Sequence, residues 1–262
     1  MKIIKTFILN GLILTLTSLI LRCIGMFFNS YISQKIGAEA IGLYGLIMSV
    51  YGFGITIALS GINLATTKII AEEIAIGNIG NIKKVVQKCL IFSLLFSGIG
   101  SILLIFSAPY ITSTLLHNKI SCVPFYIISI SLPFISMSSC LTGYFSAVRN
   151  SIKPACDQIF EHILKVCFIS LLLNYFMPSG LEYICISLIL GNIIAEILSF
   201  FFIYILYNLD KKKYSKYSCT NSYFEKRILN ITIPVGLTSC IRSGLSTLKQ
   251  VLIPLGFEKK RK

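Results

Sequence analysis

Residues 85–107 read VVQKCLIFSLLFSGIGSILLIFS, and Lys88 is the only charged side chain in the run. As a helix the run would extend about 35 Å at ~1.5 Å per residue, enough to cross a hydrocarbon core of ~30 Å. Hydrocarbon offers no water to the backbone, so a chain that crosses it must satisfy its own amide and carbonyl groups. The run therefore predicts a transmembrane helix.

Similar apolar runs recur along the whole chain of 262 residues, which is 55% hydrophobic and only 13% charged. Soluble domains carry about a quarter charged residues, so a soluble globular fold is excluded. We predict an all-α polytopic membrane bundle of about seven transmembrane helices. The seven runs are residues 6–28, 41–65, 85–107, 123–148, 157–177, 182–207 and 229–257. Residues 29–40 are predicted as a loop, and residues 66–84 as an amphipathic helix at the membrane surface.

The net charge of +14 is explained by membrane topology. With a cytoplasmic N-terminus, the inner loops hold fourteen basic residues and the outer loops hold only Lys35 and Lys119. This positive-inside bias predicts a multi-pass membrane protein with its N-terminus in the cytoplasm, and it removes the need for a nucleic-acid partner. The fourteen are Lys2, Lys5, Lys68, Lys83, Lys84, Lys88, Arg149, Lys153, Lys211, Lys212, Lys213, Lys216, Lys226 and Arg227.

Apart from Lys88, which lies near the cytoplasmic end of its run, four cations lie inside the predicted spans, namely Arg22, Lys165, Arg242 and Lys249. A cation at bilayer depth costs at least ~2.5–3.5 kcal/mol on insertion scales, so it normally faces a cavity, a partner or a substrate path. The spans that hold these cations, 6–28, 157–177 and 229–257, each carry a stripe of polar residues at helical spacing, such as Thr238 before Arg242. The stripes predict a hydrated cavity that holds an anion. Snorkelling to the interface is the alternative for Arg22 and Lys249.

Two acidic residues inside spans have open roles. Glu161 and Lys165 are spaced to neutralise each other on one helix face. Glu196 either pairs across to Lys165 or binds a coupling proton or sodium ion. The chain contains no G-x-S-x-G, P-loop or H-E-x-x-H motif, so an enzyme is disfavoured and no cofactor or metal centre is indicated.

Four stretches in order resemble a known family: residues 17–73, LTGYFSAVRN at 141–150, PACDQIFEHILKV at 154–166 and IPVGLTSCIRSGLSTLKQVLIP at 233–254. They are similar to the N-terminal half of the stage V sporulation protein B and polysaccharide biosynthesis protein family, within the multidrug/oligosaccharidyl-lipid/polysaccharide exporter superfamily that includes the lipid II flippase. The resemblance implies two helical lobes that alternate access to a central cationic cavity.

The resemblance further implies a polyprenyl-pyrophosphate-linked saccharide or peptidoglycan precursor as cargo. It places Arg22, Arg242, Lys249 and Lys165 at the anion, with Glu161 beside them. The family has 12 to 14 spans, so we expect residues 1–228 to form a six-helix lobe and residues 229–262 to hold the first helix of a truncated second lobe. The expected partners are the lipid-linked anionic substrate, membrane lipids and a missing C-terminal half. A small-solute or multidrug exporter and a non-transporting membrane scaffold half are the alternatives.

Overall fold

The computed structural model describes residues 2–59, 61–115, 120–176, 180–211 and 224–259, with side chains described from residue 11 to residue 246 except at 13, 14, 114 and 115. Seven α-helices account for nearly all of this, with a single 3-10 turn between α2 and α3 and no β-strand among the described residues. The predicted all-α membrane bundle is confirmed. The helices are α1 (Lys2–Leu59), α2 (Ile62–Ile76), α3 (Ile82–Leu115), α4 (Val123–Ala147), α5 (Ile152–Phe176), α6 (Leu181–Lys211) and α7 (Phe224–Lys259).

The prediction of a loop over residues 29–40 is wrong. α1 runs through this stretch, and only Gly37 leaves helical geometry, with φ 82° and ψ 166°. The stretch lacks proline and contains good helix formers such as Gln34 and Ala38, so a single glycine is enough to interrupt the helix. Ile32 and Tyr44, on either side of Gly37, pack in the same apolar cluster.

The segment after α1 is helical, as predicted, and one of its faces packs against the bundle. Gly61, with φ 72°, separates α1 from α2, and Gly77, with φ 87°, ends α2 in a left-handed C-cap. One face of α2 is buried, including Ile69 and Ile70, because α4 lies against it. α2 therefore continues the second predicted span.

Two apolar clusters mark the two ends of the bundle. One contains Val85 near the start of α3, Tyr144 near the end of α4 and Tyr207 near the end of α6. The other contains Ala108 near the end of α3 and Phe125 at the start of α4. Successive helices from α3 to α6 therefore run in opposite directions, as helices joined by short connections across a membrane must.

Six stretches of the described chain are long and apolar enough to span a membrane, and the first of them, Thr15–Ile76, is 62 residues long. The last, Phe224–Ser246, belongs to α7, which packs along α1 and α2. The count of seven predicted spans is thus approximate, because α1 and α2 together hold the first two.

Candidate functional site

An open cavity of about 430 Å³ lies between α1 and α7, and the Arg242 side chain lines it. The Arg242 side chain is exposed, and it forms no ion pair with a described residue. A guanidinium beside several hydroxyls offers an anion both charge and hydrogen-bond donors. The lining residues are Thr56, Leu59, Gly61, Ser239, Arg242, Ser243 and Ser246.

The other predicted anion-binding cations are placed differently. Arg22 is exposed on the first part of α1. Lys165 is half-buried near the middle of α5, and Lys249 lies on α7 outside the residues whose side chains are described. Of the three whose side chains are described, Arg242 is the one that lines this cavity with several polar neighbours.

A second polar cluster is buried near the middle of α6, around Glu196. The Tyr51 hydroxyl donates to Glu196 Oε2 over 2.6 Å, and Asn192 Nδ2 donates to Glu196 Oε1 over 2.6 Å. The Tyr51 hydroxyl also lies 2.9 Å from the Ser131 Oγ. The Tyr51 hydroxyl of α1 thus joins Ser131 on α4 to Glu196 on α6.

α5 adds three charged residues to this cluster. Ser199 Oγ donates to Asp157 Oδ1 over 2.9 Å and lies 3.5 Å from Glu161 Oε2. Glu161 and Lys165 both lie close enough to Glu196 to interact with it electrostatically. No ion pair joins Glu161 to Lys165 among the described residues, so the two do not close on each other as the helix spacing allows.

The cluster contains three carboxylates, from Asp157, Glu161 and Glu196, and one ammonium group, from Lys165. The Oδ1 of Asn192 is buried beside them and accepts no hydrogen bond from a described residue. A site with more acid than base and a spare carbonyl oxygen is suited to a proton or a small monovalent cation.

Sequence reasoning identified Glu161 and Glu196, with Asn192 as the polar neighbour four positions before Glu196, but it missed the neutral partners Tyr51 and Ser131 as site residues. Tyr51 and Glu196 are separated by 145 positions in sequence, so no local pattern could pair them. The available signal was a tyrosine inside an apolar run, and that is more often a packing residue. Among the described residues, no three His, Cys, Asp or Glu side chains converge so as to hold a metal ion together, so the three carboxylates around Glu196 are not ligands of one common ion.

Comparison with known proteins places most of the chain in one family. The sequence profile described as polysaccharide biosynthesis protein matches residues 7–255. The chain is 27% identical over 226 residues to stage V sporulation protein B of Bacillus subtilis (strain 168), a match that covers 86% of the chain and 43% of that relative.

Solved transporter structures share the fold. A MATE structure in the straight conformation superposes with a TM-score of 0.64 at 16% identity, over 87% of this chain and 53% of the MATE chain. A MOP superfamily transporter from Pyrococcus furiosus, described as having a reverse polarity of binding pocket that suggests a different function, superposes with a TM-score of 0.60 at 16% identity, over 88% and 52% of the two chains. The chain thus spans about half the length of the relatives it matches.

Proposed function

Since the chain belongs to the polysaccharide biosynthesis protein family, we propose that it contributes half of a bacterial plasma-membrane flippase for a polyprenyl-pyrophosphate-linked saccharide or peptidoglycan precursor. The observation that carries the proposal is the cavity between α1 and α7, in which Arg242 stands among serine and threonine hydroxyls. In this proposal residues 1–228 form the first lobe and α7 begins the second. The shared fold with transporters favours transport over an enzymatic role.

The anion site is built on Arg242. A guanidinium binds a phosphate through two parallel hydrogen bonds, and Ser239 and Ser243 add hydroxyl donors from the same helix. Arg22 and Lys249, on the helices α1 and α7, and Lys165 on α5 supply further positive charge along the path. The lipid tail stays in the bilayer while the lobes rock around the headgroup.

The polarity of the cavity separates this cargo from its main alternative. No carboxylate of the described residues lines the Arg242 cavity, so a cationic drug would approach Arg242 without an acidic partner there. Like charges repel and a lone guanidinium attracts anions, so the cavity favours a pyrophosphate over a cationic solute. The relative described as having a reversed pocket polarity shows that this fold accommodates more than one kind of pocket.

We further propose that Glu161 and Glu196 bind the coupling cation, a proton or Na⁺. The support is the excess of carboxylates around Glu196 and the spare Asn192 oxygen beside it. Tyr51 ties this carboxylate to the second part of α1, which also lines the Arg242 cavity. A cation that neutralises Glu196 therefore acts on a helix shared with the anion site.

The anion site is tested with the purified chain in nanodiscs and a fluorescent polyprenyl pyrophosphate. We expect Arg242→Gln to weaken binding by about tenfold or more, since hydrogen bonds to charged groups contribute ~1.5–3 kcal/mol. Lys226→Gln is the matched control, because Lys226 is an exposed cation on the same helix outside the cavity. Equal affinity of the two variants would refute the role of Arg242. In a full-length relative, transport retained after charge removal at both Arg22 and Arg242 would refute the flippase site.

The cation site is tested by thermal unfolding in Na⁺ and in choline at several pH values. We expect Na⁺ or acid to raise the unfolding temperature of the wild-type chain, because a ligand that binds only the folded state stabilises it. The Glu196→Gln variant should lose this response. Glu182→Gln, in the first turn of the same helix, should keep it. A response that survives in Glu196→Gln would contradict the assignment.

A further inference from the structure

The start of α7 is held against α2 by a buried charge network. Arg227 Nη1 donates to Glu73 Oε1 over 3.1 Å, and Arg227 Nη2 donates to Glu72. The second oxygen of Glu73 accepts a hydrogen bond of 2.8 Å from Asn81 Nδ2. Glu73 is 3% exposed and Asn81 is 1% exposed. The Glu73 carboxylate is therefore withdrawn from solvent, and its hydrogen-bond donors are Arg227 and Asn81. A buried carboxylate that loses its charged partner is strongly destabilised.

A second ion pair joins the same helix start to α3. Lys88 Nζ lies 2.5 Å from Glu225 Oε1, with both side chains about half exposed. Phe224 and Ile228 are buried in the apolar cluster formed with Ile69 and Ile70 of α2. An exposed pair of this kind contributes little by itself, so the buried Arg227 network and the apolar contacts carry most of the attachment.

α7 also packs closely on the junction of α1 and α2 at one end of the Arg242 cavity. A Cβ atom built at Gly61 would lie 2.7 Å from Val235 Cγ1, so α7 meets the junction of α1 and α2 without space between them. Gly61 also lines the cavity. Arg227 precedes Val235 by eight residues, which is about 12 Å along α7 at ~1.5 Å per residue. The contacts of α7 with the α1–α2 junction and with α2 thus lie between the cavity and the start of α7.

This end of the bundle is the one that the basic residues predict to be cytoplasmic. Lys153 Nζ, at the start of α5, lies 3.4 Å from Asp210 Oδ1 near the end of α6. The same apolar cluster holds Tyr144 and Tyr207, which flank that pair, and Phe224 at the start of α7. The positive-inside rule assigns a surface rich in lysine and arginine to the cytoplasm.

We propose that Arg227, Glu72, Glu73 and Asn81 form an ionic lock that closes the cytoplasmic end of the Arg242 cavity by holding α7 on α2. When the lock is closed the cavity is shut toward the cytoplasm, and when Arg227 leaves Glu73 the start of α7 swings away and opens it. The role of the lock as a gate rests on the proposed function, whereas its effect on α7 does not. The lock is a bistable element of the kind that alternating access requires.

The lock is tested by hydrogen–deuterium exchange of the purified chain, with no ligand present. We expect Arg227→Gln to raise exchange about tenfold or more across residues 224–235 and 62–77, because removal of Arg227 leaves Glu73 buried without its charged partner. Exchange in the middle of α4 should not change. Lys226→Gln, a neighbouring exposed cation, should exchange like the wild-type chain.

Glu72→Gln keeps the test decisive if Arg227→Gln unfolds the whole chain. The Glu72 side chain is 40% exposed, so its substitution leaves the buried core intact. We expect a smaller local increase in hydrogen–deuterium exchange in the same two segments. The proposal is overturned if Glu72→Gln and Lys226→Gln exchange alike, or if Arg227→Gln matches the wild-type chain. The polyprenyl pyrophosphate assay separates the two proposals. Local opening with no effect of Arg242→Gln on binding would refute the proposed function alone, and the reverse result would refute the lock alone.

Discussion

Removing the Tyr51 hydroxyl tests whether the Glu196 cluster holds α1, α4 and α6 together. The hydroxyl makes two hydrogen bonds, of 2.6 Å to Glu196 and 2.9 Å to Ser131, and Tyr51 is 2% exposed. Hydrogen bonds between transmembrane helices average only ~0.6 kcal/mol, with a maximum near ~1.7 kcal/mol. A short bond to a buried carboxylate belongs near the upper end, since bonds to charged groups are worth ~1.5–3 kcal/mol. We expect Tyr51→Phe to lower the free energy of unfolding by about 1.5 kcal/mol.

The assay is SDS-driven unfolding in mixed micelles followed by far-ultraviolet circular dichroism. Tyr126→Phe is the control, because Tyr126 is 44% exposed on α4 and its hydroxyl bonds to no described residue. A double-mutant cycle of Tyr51→Phe and Glu196→Gln isolates the pair, and we expect a coupling free energy of about 1 kcal/mol or more. The reasoning fails if the two changes are additive, or if Tyr51→Phe and Tyr126→Phe are equally stable.

Three further substitutions probe the packing in the same unfolding assay. Gly143→Ala should destabilise the chain by about 1–3 kcal/mol, because its Cβ would lie 2.7 Å from a backbone carbonyl oxygen of α2, whereas Gly98→Ala, with open space around it, should be neutral or stabilising. Gly37→Ala should cost about 1–3 kcal/mol, since an L-residue does not adopt its φ of 82° and ψ of 166° without strain, and an unchanged midpoint would contradict that backbone. Lys153→Met should cost about 2 kcal/mol by removing the ammonium group that lies 3.4 Å from Oδ1 of Asp210, which is 3% exposed, and the loss should be smaller when Asp210→Asn is combined with it.

The helices were predictable because hydrocarbon enforces local hydrogen bonding, so each apolar run of sufficient length must be a helix wherever it packs. The predicted run at 123–148 corresponds to α4, Val123–Ala147, to within one residue. The boundary at 29–40 failed because polarity was taken as a sign of a loop. Polar residues continue a helix readily, and the interruption depends on the backbone freedom of Gly37 alone.

The candidate site was predictable only where charge marks it. Arg242 stands out because a cation inside an apolar run is costly, and the structure places it in a cavity. Ser131 carries no such mark, and its importance depends on Tyr51 reaching it from another helix, whereas Asn192 gains its importance from Glu196 four positions further along α6. The Arg227 lock was missed for a related reason, because Arg227 and Glu73 are 154 positions apart and each is an ordinary loop-flanking charge in sequence.

The second part of α1 stands between the two candidate sites. Tyr51 points toward α4 and α6, while Thr56 and Leu59 line the cavity with Arg242 on α7. Tyr51 and Thr56 are five residues apart, which at ~100° per residue puts them about 140° apart around the helix. A rotation or tilt of α1 that strengthens the Tyr51–Glu196 bond must therefore change the distance between Thr56 and α7. If the cluster binds a cation and the cavity binds an anion, the two affinities are linked through α1, and thermodynamic reciprocity requires each ligand to change the other's affinity by the same factor.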